Sequence, residues 1–285
     1  MKTFLIITND NKDPIHELTD VIKEYIEKKG ARAFVAAKSM DAAGGIIFPE
    51  NEEIDFVLVL GGDGTMLRAA RDIGDRDLPM IGINLGTLGF LSDVEKERFA
   101  DAIDRLMDGD YFVQDRMLVQ GVIDKEDGTQ IILRPALNDI TITRQGSLHV
   151  IHLEVYVNGQ YLCKLGADGV IASTPTGSTG YNLSAGGPIV HPTANMIVMT
   201  PICAHTMNAR SIVVGPDETI EFKISSSRDG DEILAEACSD GSRPYVIKTG
   251  DRVTVTRAPY CVKLIKLNQK SFLQTLNRKM GNLEI

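Results

Sequence analysis

Along the first 115 residues the hydrophobic positions fall into two alternating patterns. Thr3 to Thr8 is a short run rich in β-formers, which predicts a strand, and the continuous apolar run of Asp55 to Leu60 suits a strand buried on both faces. Between them Ile15, Leu18, Val21, Ile22, Tyr25 and Ile26 recur three or four residues apart. With Pro14 ahead and Gly30 behind, that spacing predicts an amphipathic helix over Pro14 to Lys29. A strand near Ala33 to Ala36, a helix over Thr65 to Ile73, a strand over Met80 to Ile83 and a helix over Val94 to Met107, stopped by Gly109, continue the order. Strands alternating with helices predict an α/β domain over residues 1–115, Rossmann-like, with a mainly parallel sheet.

After Asp115 the period changes to two. Ile151, Leu153, Val155 and Val157 share one parity and His152, Glu154 and Tyr156 the other, as in a strand with a single core face. Similar runs occupy Ile131 to Leu133, Leu148 to Val157, Tyr161 to Leu165, Thr219 to Ile224, Val246 to Ile247, Val253 to Thr256 and Val262 to Leu267. Turn signals stand at Lys125 to Gly128 and at Asn158-Gly159. Residues 116–268 are therefore expected to form a mainly β domain. Residues 269–285, with Phe272, Leu273 and Leu276, read as a C-terminal segment with a closing helix.

Composition narrows the function classes. A length of 285 residues accommodates two domains, and 43% hydrophobic with 24% charged residues excludes a disordered chain. Thirty Lys and Arg against 39 Asp and Glu leave a net charge of −9, which disfavours nucleic acid or an anionic membrane as partner. Apolar runs fall far short of the roughly 20 residues that cross a bilayer. Asn9-Asp10-Asn11-Lys12-Asp13 arrives before a secretory core of about 7 to 15 apolar residues could form, so the expected location is the cytoplasm. Cys163, Cys203, Cys238 and Cys261 show no zinc-ligand spacing and read as reduced, partly buried thiols.

Candidate chemistry lies in three places. Gly61-Gly62-Asp63-Gly64-Thr65 joins a buried strand to a helix, where glycines permit close backbone approach and free helix amides favour an anion. The same residues also suit a tight turn in which Asp63 or Thr65 caps the helix. Leu67 breaks the dinucleotide fingerprint, and no P-loop spacing occurs in the chain. From Asp168 to Pro188 hydroxyls, amides and glycines are dense enough for a sugar or phosphate site, and the length exceeds that of an ordinary loop. Asn138-Asp139 alone reads as a turn, His149 as a core histidine or a ligand, and Arg68 as a phosphate partner or a solvated helix residue.

Taken in order, Gly61 to Thr65, Asn138-Asp139, and Asp168-Gly169 leading into Thr174-Pro175-Thr176-Gly177-Ser178-Thr179 resemble the NAD kinase family. The glycine-aspartate motif is shared with diacylglycerol, sphingosine and 6-phosphofructokinases, whereas the long stretch ending Ser184-Ala185-Gly186-Gly187-Pro188 is more specific. Asn84 to Phe90 and Thr200 to His205 add to the resemblance. It implies transfer of the γ-phosphoryl of ATP, or a phosphoryl of polyphosphate, to the 2′-hydroxyl of the adenosine ribose of NAD, giving NADP. Asp63 is then the general base, with Gly64, Arg68 and Phe90 beside it and Mg²⁺ arriving on the nucleotide phosphates rather than in a protein site. The resemblance further implies that Asn138 and Asp139 hold the adenosine and that Asp168 lies toward the nicotinamide. Thr179, Gly180, Tyr181, Asn182, Leu183, Ser184 and His149 would contact NAD, in a homodimer or homotetramer. Three positions depart from the family pattern: Gly166 where a basic residue is common, Gly180 for Ala, and Ser242 for Gln. Two rival readings share the corner: a lipid kinase of the diacylglycerol or sphingosine type, and a non-catalytic dinucleotide sensor.

Overall fold

The structure, a computed structural model, describes residues 1–39, 45–86, 89–92, 94–146, 150–226, 230, 232–268 and 272–281. It divides into two compact units, one of Met1–Asp115 with Val262–Ile285 and one of Arg116–Cys261.

The first unit runs β1 (Thr3–Thr8), α1 (Glu17–Lys28), β2 (Arg32–Val35), the two-residue strands β3 (Ala37–Lys38) and β4 (Ile46–Ile47), β5 (Phe56–Gly61), α2 (Asp63–Ile73), β6 (Met80–Asn84), β7 (Val94–Glu95) and α3 (Phe99–Asp108). β1 pairs in parallel with β2 and β5, and β5 with β6, so that Phe4 stands beside Phe56 and Val57 beside Met80. Every residue of β1, β5 and β6 is buried, which is why these runs carry no polar alternation. Ile22 and Ile26 of α1 and Ile103 and Leu106 of α3 pack on the same core as Phe4 and Phe56. The helix expected over Val94 to Met107 is shorter: Val94–Glu95 pairs with β6, Lys96–Arg98 is a 3-10 turn, and the α-helix begins at Phe99. Its apolar period reaches back only to Phe99, because pairing with β6 claims the backbone before it.

The chain enters the second unit along β8 (Phe112–Asp124) and continues through β9 (Gln130–Ile132), β10 (Asp139–Arg144), β11 (Ile151–Val157), β12 (Gln160–Ala167), β13 (Gly169–Ser173), α4 (Tyr181–Ser184), β14 (Ile197–Ile202), β15 (Ile212–Val214), β16 (Ile220–Ser225), β17 (Leu234–Ser239), β18 (Tyr245–Lys248) and β19 (Arg252–Lys266). One antiparallel set orders β15-β14-β13-β10-β17-β18, and β12, β11, β16 and β19 form another. Their inner faces meet in one core, with Ile140, Ile142, Val170 and Ala235 on one side and Leu153, Val155, Phe222 and Val253 on the other. Asn158 and Gly159, at φ 50 and 74, make the tight turn between β11 and β12 that their sequence predicts.

Two expectations change. Val253 to Thr256 and Val262 to Lys266 lie on a single 15-residue strand, β19, which stays extended through Ala258-Pro259. Residues 262–268, read with the β domain, group with the first unit, where Leu264 pairs in parallel with Met80. The closing helix is α5 (Phe272–Met280). Of the four free thiols, Cys203 is exposed at a positive φ of 46, so burial holds only for the other three and there only in part.

Candidate active site

In the first unit β5 ends at Gly61 and α2 begins at Asp63, with Gly62 as an extended N-cap that makes no side-chain capping bond. Neither Asp63 nor Thr65 caps the helix. Thr65 is buried and its hydroxyl accepts a bond from the Asn9 amide at 3.0 Å, which ties the loop after β1 to the first turn of α2. The Asp63 carboxylate turns to the segment after β6: Oδ2 accepts the N–H of Phe90 at 2.8 Å and Oδ1 that of Leu91 at 3.1 Å. A side chain at Gly89 would overlap this carboxylate, and one at Gly61 would overlap Thr65. A Cβ at Gly64 meets no atom within 4 Å, so the space over the helix start is open. Thr87 and Leu88, within the expected second glycine loop, lie outside the described residues.

Lys12 completes this corner, and sequence reading missed it. Its ammonium lies 3.4 Å from the position of a Cβ on Gly62 and 3.1 Å from that of one on Gly86, directly over two residues that lack side chains. Asn9 holds the loop, its carbonyl accepting the N–H groups of Lys12 and Asp13 at 2.9 and 3.0 Å. The one signal in sequence was a lysine between two turn residues after the first strand, too weak to single out. Arg68 is exposed one turn along α2, and no carboxylate pairs with it or with Lys12 among the described residues. Phe90 is half-buried, its ring 6.2 Å from that of Phe272 on α5 and 5.3 Å from the Lys279 ammonium.

In the second unit Asn138 and Asp139 do not form a turn; Asp139 opens β10 opposite Ser173 of β13. The Asn138 carbonyl accepts the N–H of Thr174 at 2.8 Å, and the Asn138 amide nitrogen lies 3.3 Å from the Cβ position of Gly180. Gly177 fits against the Asn138 backbone, where any side chain would overlap it. The structure thus brings Asn138-Asp139 and the Thr174 to Ser184 stretch together. Asp139 is 5% exposed, and burial followed by the nearby Asp240 charge pushes its carboxyl up to about 7.

The hydroxyl-rich stretch is not one long loop. It opens with β13, Gly177–Thr179 is a 3-10 turn, and Tyr181–Ser184 is α4. Its hydroxyls are mostly spent inward: Thr174 Oγ1 donates to the Leu137 carbonyl at 2.6 Å, and Ser178 Oγ donates to Pro175 and accepts from Val190. Asn182, expected to contact NAD, is fully buried, with Nδ2 on the carbonyls of Ser178 and Pro188 and Oδ1 on the Thr200 hydroxyl at 2.6 Å. Its side chain belongs to the framework. Tyr181, Leu183 and Ser184 are exposed, and Thr179 and Gly180 are half-buried. Asp168 is half-buried and ion-paired through Oδ1 with Arg144 at 3.4 Å. His149 lies outside the described residues.

Residues 4–111 match the ATP-NAD kinase N-terminal domain, and residues 137–267 match the ATP-NAD kinase C-terminal domain. The chain belongs to the ATP-NAD kinase family. It is 44% identical to the NAD kinase of Agathobacter rectalis over 99% of each chain. Identity to the NAD kinase of Lachnoclostridium phytofermentans is 40%, over 99% of this chain and 100% of the relative. Among solved structures, yeast NADH kinase complexed with NADH superimposes with a TM-score of 0.86 at 25% identity, covering 100% of this chain and 89% of that one. An NAD kinase from Archaeoglobus fulgidus in complex with ATP shares the fold, with a TM-score of 0.76 at 22% identity over 98% of each chain. Both domains of the ATP-NAD kinase family are thus represented, the glycine corner within the first match and Asn138 to Ser184 within the second.

Proposed function

We infer that this chain phosphorylates the 2′-hydroxyl of the adenosine ribose of NAD at the expense of ATP, with Asp63 as the general base. NAD kinase activity follows from family membership over the full length of both domains. None of the relatives described above is a lipid kinase or a non-catalytic sensor. The observation that supports Asp63 is its placement: a carboxylate at a helix start, beside a glycine with open space above it, oriented by two backbone amides. Each of its oxygens keeps a further lone pair for an incoming hydroxyl proton. A ribose hydroxyl is a weak nucleophile, and removal of its proton by a fixed base contributes roughly 100- to 10,000-fold.

Lys12 and the first amides of α2 are assigned to the donor phosphates, where a cation and free N–H groups offset charge gathering on the phosphoryl oxygens. Among the described residues no group of three or more His, Cys, Asp or Glu side chains could hold a metal. Mg²⁺ carried on the ATP phosphates is proposed on the family resemblance, and it would neutralise charge during transfer. Asn138 and Asp139 are assigned to the adenosine, Asp168 to the nicotinamide end with Arg144 orienting it, and Thr179, Gly180, Tyr181, Leu183 and Ser184 to the walls around NAD. Arg68 and Phe90 border the base and His149 completes the proposed set, while Asn182 holds these walls in place through its buried amide rather than touching NAD. A cytoplasmic location and a homodimer or homotetramer are proposed on the family resemblance.

The test is direct. Purified protein is incubated with NAD, Mg²⁺ and either ATP or polyphosphate, and NADP is detected through a dehydrogenase that accepts only NADP. NADP that requires donor and metal is the expected result. Binding of NAD without NADP would favour the sensor, and phosphorylation of diacylglycerol instead would favour the lipid kinase. Light scattering on the same sample gives the oligomer.

A further inference from the structure

Asp240 stands in the turn after β17 at φ 46, followed by Gly241 at φ 62. Its carboxylate accepts three successive amides from more than 100 residues earlier: Oδ2 takes the N–H of Leu137 at 2.7 Å, and Oδ1 those of Asn138 and Asp139 at 2.8 and 3.0 Å. Its own N–H donates to the Asp139 carbonyl at 3.0 Å. A left-handed aspartate ahead of a left-handed glycine curls the chain enough for one short side chain to reach a row of amides. An ionised carboxylate has the lone pairs to serve all three, and bonds to a charged acceptor are the stronger kind. From the other side Thr174 and Gly177 press on the same backbone. The Asn138-Asp139 pair is therefore clamped through its main chain. Among the described residues no donor is bonded to the Asp139 carboxyl itself.

We propose that Asp240 is a positioning residue for dinucleotide binding: its three amide bonds fix where the Asn138 amide and the Asp139 carboxyl stand when the adenosine part of NAD is bound. This rests on the reading that Asn138 and Asp139 hold the adenosine. Asp240 also acts on Asp139 through charge, since burial and this neighbour together raise the Asp139 carboxyl to about 7. Among the described residues, Cys238 on β17 also feels the Asp139 charge, and burial pushes its thiol up, which keeps it neutral; β13 presents Ser173 opposite. An ionised Asp139 accepts hydrogen bonds from adenosine hydroxyl or amino groups, so NAD affinity rises with pH through about 7. Removing the Asp240 charge moves that midpoint to lower pH.

The experiment uses the full-length enzyme as Asp240→Asn and Asp240→Ala, with NAD affinity by calorimetry across the neutral range and KM for NAD and for ATP. In Asp240→Asn, KM for NAD rises about tenfold while KM for ATP stays within about twofold, the mark of lost positioning in one subsite. The pH midpoint of NAD binding falls. Unchanged NAD affinity, an equal rise in both KM values, or an unmoved midpoint would overturn the proposal. If Asp240→Ala does not fold, Asp240→Asn, which keeps the shape, decides alone. Asn138→Ala and Asp139→Asn separate the two levels. If neither weakens NAD binding, the adenosine reading falls and the proposal with it; if both do and Asp240→Asn does not, only the role of Asp240 falls.

Discussion

The glycine corner of the first unit leaves space, whereas the hydroxyls of the second unit fill it. Around Asp63 the side chains are missing where a ligand would approach: Gly64 faces nothing within 4 Å, and Gly62 and Gly86 leave room for the Lys12 ammonium. From Ser173 to Ser178 the opposite holds, with buried Ser and Thr side chains bonded to neighbouring carbonyls and amides. Both regions look equally polar and glycine-rich in sequence. The lesson is that one donates its polarity to a ligand and the other to its own backbone, so substitutions in the two should fail differently: activity in the first, folding in the second.

The largest expected effect is at Asp63. Asp63→Asn lowers turnover at least about 100-fold, as loss of a general base should, while NAD affinity measured by calorimetry stays within a few-fold. Near-normal kcat would remove the base assignment and weaken the contrast at its strongest point. Asn182→Ala comes next and should be felt as instability. It strips partners from the Thr200 hydroxyl and two carbonyls, a loss of about 2 to 3 kcal/mol read from urea unfolding, with kcat preserved at low temperature in the folded fraction. An undiminished unfolding midpoint with a collapsed kcat would place Asn182 on the substrate instead. The smallest is Lys12→Met, which raises KM for ATP about tenfold with little change in melting temperature, because an exposed cation over two glycines contributes mainly to charge held there. Equal KM values for both enzymes would leave the corner without its cation.

How far the sequence carried this depended on whether a residue's partner was near in sequence. Strands β1, β5 and β6 and helix α1 were legible because burial on both faces, or on one helical face, leaves a local period. Val94-Glu95 was misread as helix because its strand character comes from pairing with β6. Asp139 looked like a turn residue since Asn-Asp pairs favour turns, yet pairing with Ser173 of β13 draws it into β10. At the site, Asp63 and Gly64 stood out by motif alone. Lys12 and Asp240 did not, since what matters about them is a spatial neighbour, Gly86 for one and Leu137 for the other. Asn182 was legible as important but not as buried, because an amide reads the same whether it faces substrate or carbonyls.

The path of β19 bears on the order of assembly. Residues 116–261 form an unbroken segment, while the first unit needs Val262 onward, including Leu264 beside Met80 on the outer side of β6. On a ribosome the second unit is fully synthesised before the first can close its sheet, so the part made earliest is the part completed last: β7 takes the Ile83-Asn84 end of β6 early, while the Met80 end waits for a strand still to be translated.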